Sequence, residues 1–433
     1  MTPEWIGVLA MGALFALIML RVPVAIAMGV CGLVGYAALD GWEFALLAAA
    51  STPYDLTEKY ALSVVPLFIL MGVVATRAGM SQELYRATNA IFSGMRGALA
   101  MGTVGACAGF GAICGSSLAT AATMTPVAVP QMRRHGYDDA LATGVVASAG
   151  ILGVLIPPSV VLVVYAIIAE QGVPQLFAAA LLPGLLGALL HLLVVAGVAR
   201  WQPERVPTTD KMTAAERLGA LVGLWKMALL FAIAVGGIYS GLMSPTESAA
   251  VAALVAIVIG LVTRTLSWRA LSEAFLETIW TTGQLFIIIV GAFLFAYFIA
   301  LTQLTVALSE WVQGLQLAPI AVIGLIIVFY LILGFFLDAI SMLLITVPVF
   351  LPLAESVGYD PIWFGILILV AVEVGMITPP VGLNIFVVKS QLLQIDLMTI
   401  YRGIVPFLFA HAALIVALLI WPGLALFLPG VLY

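Results

Sequence analysis

Long apolar runs fill most of the chain, and none shows a strict alternation of apolar and polar residues. A membrane helix needs about 20 such residues, whereas a barrel strand needs only about 10 in alternating pattern. The runs therefore predict spanning helices near 4–20, 22–39, 61–77, 138–169, 174–199, 221–242, 247–263, 279–301, 361–389 and 403–430. Two more apolar stretches, about 97–132 and 319–354, are long, polar in the middle and followed by Gly-Tyr-Asp. They read as re-entrant hairpins that enter and leave the bilayer on one side. Stretches near 80–95 and 302–317 look amphipathic and are expected at the interface.

Composition agrees with this pattern. Of 433 residues, 64% are hydrophobic and 9% charged, against about 25% charged in a typical soluble domain. A soluble enzyme, a nucleic-acid binder and a disordered adaptor are excluded, leaving an all-α polytopic protein of the lipid bilayer. Cys31, Cys107 and Cys114 lie in apolar runs and suggest neither a disulfide framework nor a metal cluster. The N-terminus has no basic region or cleavage site, so the first run is expected to be a retained helix.

The positive charges test the topology. With the N-terminus outside, 15 of the 16 Lys and Arg fall in cytoplasmic loops or helix ends, and only Lys59 falls outside. This supports ten spans plus two hairpins, with both termini periplasmic.

A shift of 222 residues aligns the middle of each half without a gap. Pro126 falls on Pro348, Pro130 on Pro352, Gly136-Tyr137-Asp138 on Gly358-Tyr359-Asp360, Gly153 on Gly375, and Pro157-Pro158 on Pro379-Pro380. Most of these are residues that fix backbone shape. The halves, 1–200 and 221–433 around a cytoplasmic linker at 201–220, read as an inverted-topology repeat of the kind secondary transporters use.

Four helix breaks fall in two related pairs. Gly115-Ser116-Ser117 is the first hairpin tip, followed by Thr120, and the Gly150–Ser159 stretch breaks the span after it. Asp338 and Ser341 lie at the second tip, and Gly375-Met376-Ile377-Thr378-Pro379-Pro380 leads to Asn384. A single Ser-Ser or Pro-Pro is usually structural, but two symmetry-related pairs favour function. Freed carbonyls and Ser hydroxyls suit a small cation, and freed N–H groups suit an anion.

Asp338 and Glu373 are the carboxylates placed at depth, where a charge costs about 2.5–3.5 kcal/mol. Asp338 is favoured as a sodium ligand or coupling carboxylate, with a helix N-cap as the competing reading. Glu373 is either a protonatable coupling group or a protonated structural donor. No Lys or Arg is expected near the site, so an anionic substrate would rely on helix N-termini, hydroxyls, amides and bound cations. His135 falls in a cytoplasmic turn, while His191 and His411 are expected to serve packing or helix–helix hydrogen bonds. Gly105-x-x-x-Gly109 and Gly111-x-x-x-Gly115 are expected to allow close helix approach. There is no Walker A sequence.

Together, Gly115-Ser116-Ser117-x-Ala119-Thr120, Pro130-x-Met132-x-Arg134-x-Gly136-Tyr137, Pro157-Pro158-Ser159 and Thr378-Pro379-Pro380-x-Gly382-x-Asn384 resemble the large membrane subunit of tripartite ATP-independent periplasmic (TRAP) transporters. The resemblance covers essentially the whole length. It implies an elevator-type, sodium-coupled importer of an organic acid, such as a C4-dicarboxylate or sialic acid, in the bacterial inner membrane. It implies a fold related to divalent-anion/sodium symporters. It also implies two partners: a small four-helix membrane subunit, expected as a separate chain, and a periplasmic substrate-binding protein. No cofactor is implied beyond sodium.

By this resemblance, sodium would be held by Gly115, Ser116, Ser117, Gly153 and Ile156, and by Asp338, Gly375 and Thr378. Substrate would meet Ser117, Thr120, Pro158, Ser159, Ser341, Pro380 and Asn384. Some members carry an aspartate just after Ser-Ser; this chain has Ala121-Ala122, which leaves such a cation site without its carboxylate.

Two other functions compete. One is a stand-alone symporter or antiporter on the same fold. The other is an intramembrane serine protease using Ser117, which needs His191 or His411 as its base.

Overall fold

The computed structural model describes residues 2–208 and 211–433. Among them there is no β-strand, and the regular elements are helices. Seven helices among the described residues are long and apolar enough to cross a membrane, or eight when the bent pair Asp139–Leu155 and Val160–Ile168 counts as one span. The expected all-α polytopic architecture is therefore present. Pro3–Met19 and Val24–Asp40, also expected to span, are shorter at 17 residues each. The 361–389 run divides into Pro361–Gly375 and Leu383–Gln391, because Pro379 and Pro380 lack the N–H groups that would continue the ladder.

Three segments depart from the sequence reading. No element is predicted at 42–58, yet Trp42–Glu58 is a helix lying against Val24–Asp40 and Trp268–Thr302. Glu43, Pro53, Asp55 and Glu58 interrupt its apolar pattern. The 403–430 run is two helices: Leu397–Ile420 stops at Trp421-Pro422, and Gly423–Leu432 packs against Val173–Trp201. The 221–242 run contains a π-helical turn at Ala232–Gly236. Ser248 donates to the Ile233 and Ala234 carbonyls, at 2.6 and 2.9 Å, that this wider turn frees.

Elements follow the same shift as the sequence. The hairpin of Ala98–Cys114 and Ser117–Arg134 corresponds to that of Pro319–Leu333 and Ala339–Ser356. Gly136 and Gly358 turn the chain with φ of +79° and +91°. Asp138 and Asp360 then cap the following helices. Packing crosses between halves reciprocally: Val24–Asp40 lies on Trp268–Thr302, and Pro245–Val262 lies on Val64–Arg77.

Several ion pairs join segments distant in sequence. Arg77 pairs with Glu273 at 2.7 Å and Glu277 at 2.8 Å, Arg205 with Asp138 at 2.6 Å, Arg133 with Asp139 at 2.8 Å, and Lys226 with Glu83 at 2.6 Å. Exposed pairs contribute only about 0–1 kcal/mol each, and each ties two segments together.

Candidate functional site

Each hairpin tip docks on the helix break of its own half. Ala98–Cys114 ends at Gly115, whose φ is +66°. A Cβ there would lie 3.0 Å from both the Pro158 carbonyl oxygen and the Val160 nitrogen. Val160 N–H donates to the Gly115 carbonyl at 3.3 Å. Behind the tip, Gly111 and Gly153 touch backbone to backbone. In the second half, a Cβ on Gly375 would lie 2.9 Å from the Gly334 Cα. The Pro157-Pro158 and Pro379-Pro380 peptides are both cis. No described residue donates a backbone hydrogen bond to the carbonyls of Ile156 or Thr378, which hold matching positions beside the tips.

Around the first tip, side-chain polar groups are satisfied nearby. Ser116 caps Ser117–Arg134, accepting from Ala119 N–H at 3.4 Å. Thr120, fully buried, donates to the Ser116 carbonyl at 2.7 Å. A Cβ on Gly153 would lie 2.6 Å from Thr120 Oγ1, so these residues form one cluster. Buried Ser159 caps Val160–Ile168, accepting from Leu162 N–H at 3.3 Å. Ile156 and Pro158 are buried in the same break.

Around the second tip, polar groups are left over. Asp338 holds the place of Ser116 and caps Ala339–Ser356, one carboxylate oxygen accepting from Ile340 and Ser341 N–H at 3.1 and 3.2 Å. The N-cap reading is thus present, and the other carboxylate oxygen takes no part in it. The buried Ser341 hydroxyl has no partner among the described residues. Thr378 donates to the Val374 carbonyl at 2.6 Å. Pro380 is exposed, and its carbonyl accepts from the Tyr401 hydroxyl at 2.5 Å.

Ser117 and Glu373 join the two halves, the serine hydroxyl donating to Glu373 Oε1 at 3.1 Å. Glu373 is completely buried, and its Oε2 has no partner among the described residues. Asn384 is equally buried, with both amide atoms unpartnered. Its helix, Leu383–Gln391, lies against Ser117–Arg134, where Gln391 donates to the Ala122 carbonyl at 3.0 Å. Reciprocally, Val160–Ile168 lies against Ala339–Ser356. Each broken span thus closes on the other half's hairpin. An unpartnered buried polar group costs about 1–3 kcal/mol, so Ser341, Glu373 and Asn384 are each suited to meet a polar ligand.

Sequence reasoning missed Gln391 and Tyr401, which carry no motif and act on distant carbonyls. The expected packing glycines do pack: a Cβ on Gly105 or Gly109 would lie 3.2 Å from Thr88 or Leu84 of the helix Met80–Phe92. His191 and His411 converge on Ser148, with Nε2 atoms 2.9 and 3.1 Å from its hydroxyl, and His191 Nδ1 donates to the Gly187 carbonyl at 2.7 Å. This is helix–helix bonding. Neither ring is hydrogen-bonded to Ser117, so the protease reading lacks its base.

The family described as "Tripartite ATP-independent periplasmic transporter, DctM component" matches residues 11–424. The C4-dicarboxylate TRAP transporter large permease protein DctM of Pseudomonas aeruginosa is 38% identical over 379 residues, covering 87% of this chain and 88% of that protein. The isethionate TRAP transporter permease protein DctMQ of Oleidesulfovibrio alaskensis is 30% identical, and the match covers 96% of this chain but 65% of that longer protein. Among solved structures, the YdaH transporter of Alcanivorax borkumensis superposes with a TM-score of 0.65 at 16% identity, covering 89% of each chain. That likeness shows the fold. The match across nearly the whole chain shows that this multi-pass membrane protein belongs to the family of large membrane (DctM) components of TRAP transporters.

Proposed function

We propose that the protein drives sodium-coupled import of a small organic acid across the bacterial inner membrane by an elevator movement. A periplasmic binding protein delivers the acid, and a small membrane subunit completes the transporter. The carrying observation is the set of unpartnered buried polar groups, Ser341, Glu373 and Asn384, beside the two matched tip–break pairs.

Sodium binds at the Ser116 tip with Gly115, Ser117, Gly153 and Ile156, and at the Asp338 tip with Gly375 and Thr378. Substrate lies between the tips, against Ser117, Thr120, Pro158, Ser159, Ser341, Pro380 and Asn384. Glu373 couples the halves through Ser117. The segments 1–200 and 221–433 act as inverted repeats about the linker 201–220, with both termini periplasmic. The fall of 15 of the 16 Lys and Arg on one predicted side supports this orientation.

Elevator movement is supported by how the site is tied together. Gly144 touches the backbone of Gly403, and Ser148 bonds both His191 and His411. These contacts tie Val173–Trp201 and Leu397–Ile420 to the helix that leads into the first break, as a shared moving body requires. The test is uptake into proteoliposomes with both partner proteins. Uptake requires an inward sodium gradient and the binding protein. Equal uptake without the gradient refutes the coupling, and equal uptake without the binding protein refutes the tripartite reading.

A further inference from the structure

Between the helix Met80–Phe92 and the open end of the first hairpin lies a cavity of about 540 Å³. It is separate from the tips. Gln131, which lines it, lies 14 residues beyond Ser117 on the same helix, about 21 Å at 1.5 Å per residue. The linker helps to enclose it: Met212 N–H donates to the Ser93 hydroxyl at 2.8 Å, and Arg217 donates to the Ala90 carbonyl at 3.0 Å.

The lining has the character of a receptor for an anion with a carbon skeleton. Arg86 and His135 line the cavity, and no Asp or Glu is among the described residues that do. Arg86 forms no ion pair among the described residues. Tyr85 also lines it, its hydroxyl enclosed beside Asn89 and Thr103, and the Asn89 amide oxygen lies against Gly102. The Arg86 guanidinium, exposed and with no carboxylate beside it among the described residues, calls for acceptor oxygens. A planar carboxylate matches the guanidinium fork bidentately. Leu99, Pro126 and Val127 supply an apolar side, and the volume is in the roughly 300–1,000 Å³ range of small-molecule sites.

We infer that this cavity is a second, cytoplasm-facing binding site for small organic carboxylates, distinct from the transport site. Only its assignment to the cytoplasmic face rests on the proposed function.

The test is isothermal titration of the full-length protein in detergent, in sodium-free choline buffer, with succinate, citrate and inorganic phosphate in separate runs. At least one carboxylate binds saturably. Arg86→Gln weakens that binding at least tenfold without changing the thermal unfolding midpoint, and Ser117→Ala leaves it unchanged. Failure of both carboxylates to bind, binding indifferent to Arg86→Gln, or phosphate binding as tightly as the carboxylates overturns the assignment. Sodium-independent uptake in proteoliposomes would instead strike the transport reading and leave this one standing.

Discussion

At the first tip Ser116 caps its helix with a neutral hydroxyl, and Thr120 and Ser159 find partners within the same half. At the second, Asp338 caps with a carboxylate, while Ser341, Asn384 and one oxygen of Glu373 have no partner among the described residues. The backbone device is the same, a glycine-lined tip against a Pro-Pro break. The chemistry differs. The side-chain polar groups of the first tip are satisfied, whereas the second carries surplus polar groups. No ion pair joins Asp338 or Glu373 to a Lys or Arg among the described residues. A carboxylate at membrane depth costs about 2.5–3.5 kcal/mol, so a mobile cation is the natural counter-charge. A repeated scaffold can therefore hold an unequal pair of sites, with the stronger ionic demand on one side.

The largest effects should come from the shared part of the device. Gly153→Val and Gly375→Val each force a side chain against backbone, for Gly153 at Gly111 and for Gly375 at Gly334. Overpacking of this kind costs about 1–3 kcal/mol or more. Both variants should lose most monodisperse protein on size exclusion in detergent. If one half tolerates the valine, the two docking contacts are not equivalent.

Asn384→Leu should separate function from stability. It removes two unpartnered buried polar atoms, so the unfolding midpoint should hold or rise while uptake falls at least tenfold. A stability loss with normal uptake would show that the amide serves packing.

Ser117→Ala should cost about 1–3 kcal/mol, because it strips Glu373 of its donor. Glu373→Gln should recover most of that loss in the double variant. Smallest is Thr120→Val, at about 1 kcal/mol for one hydrogen bond, read as a modest drop in midpoint and a smaller fall in uptake than Asn384→Leu gives. A larger effect on uptake than that of Asn384→Leu would reverse the assigned contrast between the tips.

Much of this arrangement was legible in the sequence because Pro and Gly fix backbone shape locally. Pro157-Pro158 and Pro379-Pro380 announce the breaks, and Gly136 and Gly358 announce the turns. Pairings across the halves were not legible. Ser117 and Glu373 lie 256 residues apart, and nothing local says that they meet. The Asp338 cap was foreseen as an alternative, but a cap leaves one carboxylate oxygen free, so it does not compete with a ligand role. Trp42–Glu58 was hidden because its charged residues and Pro53 break the apolar run. The break at Trp421-Pro422 was hidden for the opposite reason, being set in apolar sequence on both sides.

The central claim is that the second tip carries the stronger sodium demand. Its most direct test is the sodium concentration for half-maximal uptake in proteoliposomes containing both partners, compared between Asp338→Asn and Ser116→Ala. The account predicts at least a tenfold rise for Asp338→Asn, equivalent to about 1.4 kcal/mol, and less than a threefold rise for Ser116→Ala. Equal shifts in the two variants, or wild-type sodium dependence in Asp338→Asn, would contradict it.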